Sequence, residues 1–227
     1  MYLLNRITLN AACRELAREP YFARVIDECG IPPLWDRPQG FATLLHIILE
    51  QQVSLASAKA CFDKLERKLG TVEPAAVLAL TSAELRTIGF SRQKAAYARH
   101  LSEAVLTGSI DLGALSAMPG RDAREVLMKL KGVGEWTSDI YLLMALLRPD
   151  VMPRGDIALH SAWHRLTGEP KPESSKFLEL SERWRPHRSS AARLLWHFYL
   201  TERRGKNYHI EGTAASSNST EVPSGMM

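Results

Sequence analysis

The sequence predicts an all-α fold, and three observations carry that prediction. Apolar residues recur at three- and four-residue spacing, cap-type residues precede those runs, and glycines or prolines follow them. No convincing alternating strand and no Asn-Gly hairpin signal interrupts the pattern. Phe41, Leu44, Leu45, Ile48 and Leu49 form one apolar stripe, and Leu55, Phe62, Leu65 and Leu69 form the next, stopped at Gly70. A short helix is expected from Pro74 to Leu80. Thr81 stands three residues before Glu84, a capping-box pattern for the helix that follows. Ser91 is a cap for a helix through Ala95, Ala98, Leu101 and Val105, ending at Gly108. Asp122 is expected to cap a helix over Ala123–Leu130. Further helices are expected over Glu135–Leu147, stopped before Pro149, and over Asp156–Leu166, stopped at Gly168. Ser174–Arg185 and Ser189–Arg203 complete the set.

Proline placement divides the expected helices into two packed subdomains. Residues 39–148 form a middle layer, and residues 1–38 with 149–209 form the second, together making one domain over 1–209. From Ile210 onward the chain is small, polar and aperiodic, and a disordered tail over 210–227 is expected because it cannot bury enough apolar area to offset ordering entropy. That tail holds two acids and no Lys or Arg, so the +4 net charge of the whole understates the basicity of the remainder. A basic balance permits a polyanionic partner without demanding one.

Composition excludes several classes. The longest apolar run, Ile140 to Leu147, is eight residues, far short of a membrane span. No leader of the secretory type is expected. Three cysteines, Cys13, Cys29 and Cys61, cannot build a disulfide framework, a four-thiolate zinc site or a four-cysteine cluster. A reducing compartment is expected: the cytoplasm of a bacterium, at its nucleoid, or the nucleus of a eukaryote.

Four patterns could carry chemistry. Leu130-Lys131-Gly132-Val133-Gly134-Glu135-Trp136-Thr137 places two glycines around one apolar residue between two helices. Exposed amides there and at the next helix N-terminus can meet a phosphate; the plainer alternative is a tight helix–helix connection. Met152-Pro153-Arg154-Gly155-Asp156 delivers a carboxylate to a helix start, where it could equally be only an N-cap. Asp156, His160 and His164 recur every fourth residue and are competent metal ligands, but they span ~12 Å, so one ion engages at most two of them. Five tryptophans, Trp35, Trp136, Trp163, Trp184 and Trp196, supply core and, for some, a stacking surface. A faint echo links Leu85–Gly89 to Leu130–Gly134, each a helix, a glycine-bearing turn and a helix.

In this order, the hairpin and the Asp156 loop resemble the helix-hairpin-helix DNA glycosylases with a Gly/Pro-rich loop and catalytic Asp, the HhH-GPD superfamily. The chain is most similar to its DNA-3-methyladenine glycosylase II, or AlkA-type, branch. The likeness covers about residues 38–202 and takes in Ile48–Ser54, Ile88–Lys94, Leu130–Thr137, Pro153–Leu159 and Trp184–Ser189. The chain before Phe41 is too short for the sheet-rich N-terminal domain of some relatives, so the compact form is expected.

The resemblance implies roles by position. Asp156 matches the catalytic aspartate. Trp136 falls where lyase members carry a Schiff-base lysine, which implies a glycosylase without a lyase step; with Trp196 it matches the base pocket. Gln52 matches the wedge that fills the gap left by a flipped nucleotide. Lys131, Gly132, Val133, Gly134 and Thr137 match the phosphate grip, with Lys131 replacing the usual proline. The carbonyls of Met128, Leu130 and Val133 correspond to a monovalent cation site for Na+ or K+, with no cofactor required. The expected activity is hydrolysis of the N-glycosidic bond of alkylated, cationic purines such as 3-methyladenine in duplex DNA, by a monomer with no membrane partner. Three other readings compete: a non-catalytic DNA-binding module that uses the same hairpin, a metal-dependent hydrolase using Asp156, His160 and His164, and a helical scaffold with no substrate.

Overall fold

A computed structural model describes residues 3–215, with side chains through Arg203. Among the described residues it is helical without strands. The helices are α1 (Arg6–Leu16), α2 (Pro20–Cys29), α3 (Phe41–Glu50), α4 (Leu55–Leu69), α5 (Pro74–Ala79) and α6 (Ser82–Ile88). They continue with α7 (Arg92–Leu106), α8 (Gly120–Met128), α9 (Glu135–Met144), α10 (Ile157–Thr167), α11 (Ser174–Ser181) and α12 (Arg188–Ala215). The local signals act as expected: Thr81 and Glu84 close a full capping box, and Ser91 caps α7 through the Lys94 amide. Four boundaries differ by three residues or more. Pro119, not Asp122, precedes α8, because its ring pre-sets an extended backbone; Asp122 lies inside the first turn, where a carboxylate meets the positive helix end. Helix α9 ends at Met144 rather than Leu147, and Leu147 takes a left-handed φ of 51° so that the chain can turn before Pro149. Helix α11 gives way to a 3-10 turn at Glu182–Trp184, which seats the Trp184 ring against Phe22 and Trp163. Helix α12 runs through Ala215, past the Arg203 expected as its end and into the segment expected as a tail, since extending a helix already nucleated by packing costs little per residue; the rest of that expected tail, 216–227, lies outside the described residues.

Helices α3, α4, α7, α8 and α9 pack as one layer, with α5 on α7. Helices α1, α2 and α10 pack on α12. Leu4 donates its N–H to the Leu147 carbonyl at 2.8 Å, and Arg37 to the Met144 carbonyl at 2.9 Å, so the N-terminal segment crosses the end of α9. Arg193 is the deepest tie. It is fully buried on α12 and donates to the carbonyls of Leu34 (2.6 Å), Leu143 (2.9 Å) and Ser189 (3.1 Å). Burial pushes its pKa down to about 10, still cationic at neutral pH, and pushes the neighbouring Cys13 thiol up to about 12, which makes that thiol a small apolar filler.

The C-terminus of α3 is held from two sides. Arg37 forks onto Glu50 with contacts of 2.8 and 3.1 Å, and Lys94 Nζ donates to the Leu49 carbonyl at 2.7 Å. The chain that leaves this pinned end is Gln51-Gln52-Val53.

Candidate active site

The turn between α8 and α9 is fastened by buried Leu130 and Val133, with the Val133 N–H on the Leu130 carbonyl at 3.1 Å. Gly132 has φ 89°, and a Cβ there would stand 2.3 Å from Tyr97 Cγ. Only glycine lets the hairpin lie on that ring. Gly134 has open space around it and is the N-cap of α9 with no side-chain cap bond, so the first-turn amides of α9 point out unpaired. Lys131 is exposed beside them. Gln51 Nε2 donates to the Gly132 carbonyl and to Thr137 Oγ1, both at 2.8 Å, which rivets the end of α3 to the hairpin. Thr137 is thus buried and engaged by Gln51. Gly132→Ala is expected to weaken duplex DNA binding and to lower stability by at least ~1–2 kcal/mol from the left-handed backbone alone. A thermal melt with a binding titration checks it.

Glu135 places a negative charge at this anion-friendly helix end, and the structure compensates it. Arg154 Nε lies 3.2 Å from Glu135, with both groups about half exposed.

The loop from Val151 to Asp156 is tethered at its start by Ser189, whose hydroxyl accepts the Val151 N–H at 2.9 Å. Asp156 then caps α10 and is 8% exposed. Its carboxylate accepts N–H bonds from Leu159 (3.0 Å), Trp136 Nε1 (2.9 Å) and Trp196 Nε1 (3.2 Å). The two tryptophans therefore do more than offer ring faces: each spends its indole N–H on the same carboxylate. Trp136 is half-buried, whereas Trp196 is buried.

Asp156 and Trp136 line an open cleft of about 1140 Å³, bounded by the hairpin, Tyr97 and the segment after α3. Gln52 stands at its edge, exposed, with a left-handed φ of 57°. A glutamine held in that region carries strain of order 1–3 kcal/mol, and such strain gathers at working sites. Val53, Leu55 and Ile157 are exposed apolar neighbours along the same rim.

The Asp156–His160–His164 stripe does not converge. His160 is buried against Phe177 at 4.7 Å, its imidazole pushed down by burial, and exposed His164 turns Nδ1 to the Glu169 carbonyl. Among the described residues no group of three His, Cys, Asp or Glu could hold a metal ion. Met128 is exposed at the last turn of α8, with Leu130 two residues on.

Sequence reasoning missed Gln51, Tyr97 and Asp139. Asp139 is buried on α9 with Arg124 against one oxygen and the Arg154 N–H on the other at 3.2 Å. Burial pushes its carboxyl up to about 6, against the lowering effect of Arg124. Two adjacent glutamines at a helix end were the one available hint for Gln51.

Known proteins resemble this chain in sequence and fold. Bacillus subtilis YfjP is 29% identical over 162 residues, 67% of this chain and 56% of that protein. The DNA-3-methyladenine glycosylase of Bacillus subtilis is 31% identical over 193 residues, 79% of this chain and 61% of that protein. The chain thus spans less than two thirds of the length of both. Among solved structures, the Schizosaccharomyces pombe 3-methyladenine DNA glycosylase Mag1, in complex with abasic DNA, superposes with a TM-score of 0.77 at 25% identity, covering 82% of this chain and 95% of that one. A family model described as the HhH-GPD superfamily base excision DNA repair protein matches residues 45–186. The hairpin, the cleft and the carboxylate all fall within that span, and the chain belongs to the HhH-GPD superfamily.

Proposed function

We propose that the protein is a monofunctional DNA glycosylase that releases alkylated, cationic purines such as 3-methyladenine from duplex DNA. The observation that carries the reading is Asp156: a carboxylate oriented by two indole N–H groups and one backbone N–H at the wall of an open cleft. Duplex stacking hides the glycosidic bond, so the nucleotide must leave the stack, at a cost of a few kcal/mol. The unpaired amides of α9 and Lys131 grip phosphate without reading sequence, and Gln52 fills the vacancy. A base alkylated at N3 or N7 is positively charged and is a good leaving group. The C1′–N bond breaks with its electron pair going to the base, which departs neutral. Positive charge develops on the sugar, and the Asp156 carboxylate stabilises it. Water then adds at C1′, and its proton passes to Asp156 or solvent. Trp136 has no amine for a Schiff base, so no lyase step follows. The protein acts as a monomer, in the nucleoid or nucleus where its substrate lies.

The carbonyls of Met128, Leu130 and Val133 suit a monovalent cation in donor type: they are neutral oxygens at the negative end of α8. The Leu130 carbonyl accepts one N–H and keeps a second lone pair. Na+ or K+ held there would add positive charge beside a phosphate.

The test is incubation with dimethyl sulfate-treated duplex DNA in EDTA, followed by mass spectrometry of the small-molecule fraction. Free methylated purines and an uncut strand before alkali are expected. Absence of free base at stoichiometric protein overturns the reading and leaves a DNA-binding module.

A further inference from the structure

We propose that Asp139 is a positioning residue that fixes the loop carrying Asp156 through the Arg154 N–H, and thereby sets the rate of base release. The inference rests on the glycosylase reading of Asp156. Asp139 and Trp136 lie three apart on α9, so they share a helix face. Trp136 holds Asp156 by its side chain at 2.9 Å, and Asp139 holds Arg154, two residues earlier, by its backbone at 3.2 Å. Between the two attachments lies Gly155, with φ 73°, a backbone state in which an untethered loop pivots readily. One face of one helix thus grips the loop on both sides of its most permissive residue. That same helix presents the unpaired amides of the hairpin at its N-terminus. Asp139 therefore acts on the carboxylate's placement from the same helix that carries the phosphate grip, without touching the grip itself.

A purely structural role explains the residue poorly. A buried ion pair is often replaceable by apolar side chains at no cost in stability. Burial raises the Asp139 carboxyl to about 6 even beside Arg124, so its ionised form burdens the fold. Of the charged neighbours, Arg124 on α8 pairs with Asp139 itself, whereas Glu135 on α9 pairs with Arg154, and Arg185 and Arg188 beyond the loop pair with Asp150. What no other described side chain supplies is the acceptor for the Arg154 N–H.

The experiment compares wild type, Asp139→Ala, Asp139→Asn and Arg124→Ala. Single-turnover release of 7-methylguanine is read at saturating protein, beside equilibrium binding to a duplex containing an abasic site. Asp139→Ala is expected to slow release by up to about 100-fold with binding unchanged, the scale of a small misplacement of a reacting group. Asp139→Asn keeps an oxygen for the N–H and recovers most of the rate. Arg124→Ala leaves that bond in place, so its release rate, read on folded protein, stays close to wild type even though the variant is less stable. Should Asp139→Ala fail to fold, Arg154→Pro deletes the donor at an exposed position and is expected to slow release in the same way; wild-type speed there overturns the proposal. Release and binding falling together in Asp139→Ala also overturn it. A wild-type chain that releases no base overturns both this role and the glycosylase reading. A wild-type chain that releases base, beside an equally fast Asp139→Ala, overturns this role alone.

Discussion

Asp156→Asn is expected to lower single-turnover base release from methylated duplex DNA by roughly 10²–10³-fold, the scale for removing a preorganised electrostatic partner from a developing charge. Binding to an abasic-site duplex should persist, because the hairpin is untouched. Asparagine caps a helix about as well as aspartate, so the Leu159 bond survives. The indole clasp does not survive intact. An amide has one oxygen and one NH2, while Trp136 and Trp196 present N–H donors to the two oxygens of the carboxylate. One donor then faces another, costing about 1–3 kcal/mol. The variant should therefore melt earlier as well as react more slowly. Adding Trp136→Phe to it removes the opposing N–H and should restore stability without restoring activity. Release at the wild-type rate by Asp156→Asn would remove the carboxylate from the mechanism.

Arg193→Met is expected to lose roughly 3–5 kcal/mol of stability. The substitution conserves apolar bulk and strands the carbonyls of Leu34 and Leu143, at about 1–3 kcal/mol each. The Ser189 carbonyl lies one turn earlier in the same helix and loses only a shared partner. Urea denaturation at an unchanged slope measures the loss directly. A loss below about 1 kcal/mol would mean that water reaches those carbonyls. The site should soften with the core, since Leu143 lies on the helix that carries Trp136 and Asp139.

The readable parts of this fold were local. Thr81, Ser91 and Asp156 announce helix starts because a short oxygen-bearing side chain satisfies an amide three residues away, a relation visible within one window of sequence. Gly70 and Gly168 mark helix ends because glycine takes a positive φ, 74° and 75° here, without a Cβ clash. Asp122 misled because proline and glycine ahead of it start the helix earlier. The ties that shape the site are of another kind. Gln51 reaches a hairpin more than 80 residues away, Arg193 reaches Leu34 across 159, and Trp196 meets Asp156 across 40. Nothing in the immediate neighbourhood of those residues specifies the partner. The tryptophans show the difference well: their abundance suggested stacking surfaces, while their hydrogen-bonding edge acquires a use only when α9, α10 and α12 come together.

The two hydrogen bonds made by the Gln51 amide have a mechanical consequence. They tie the segment that carries the strained Gln52 to the hairpin as one jaw, with Lys94 and Arg37 bracing the end of α3. A jaw of that kind does not bend to inspect each base pair. The duplex must do the yielding, and undamaged pairs resist while weakened ones open. On the glycosylase reading, the search for damage would then depend chiefly on how readily each base pair yields.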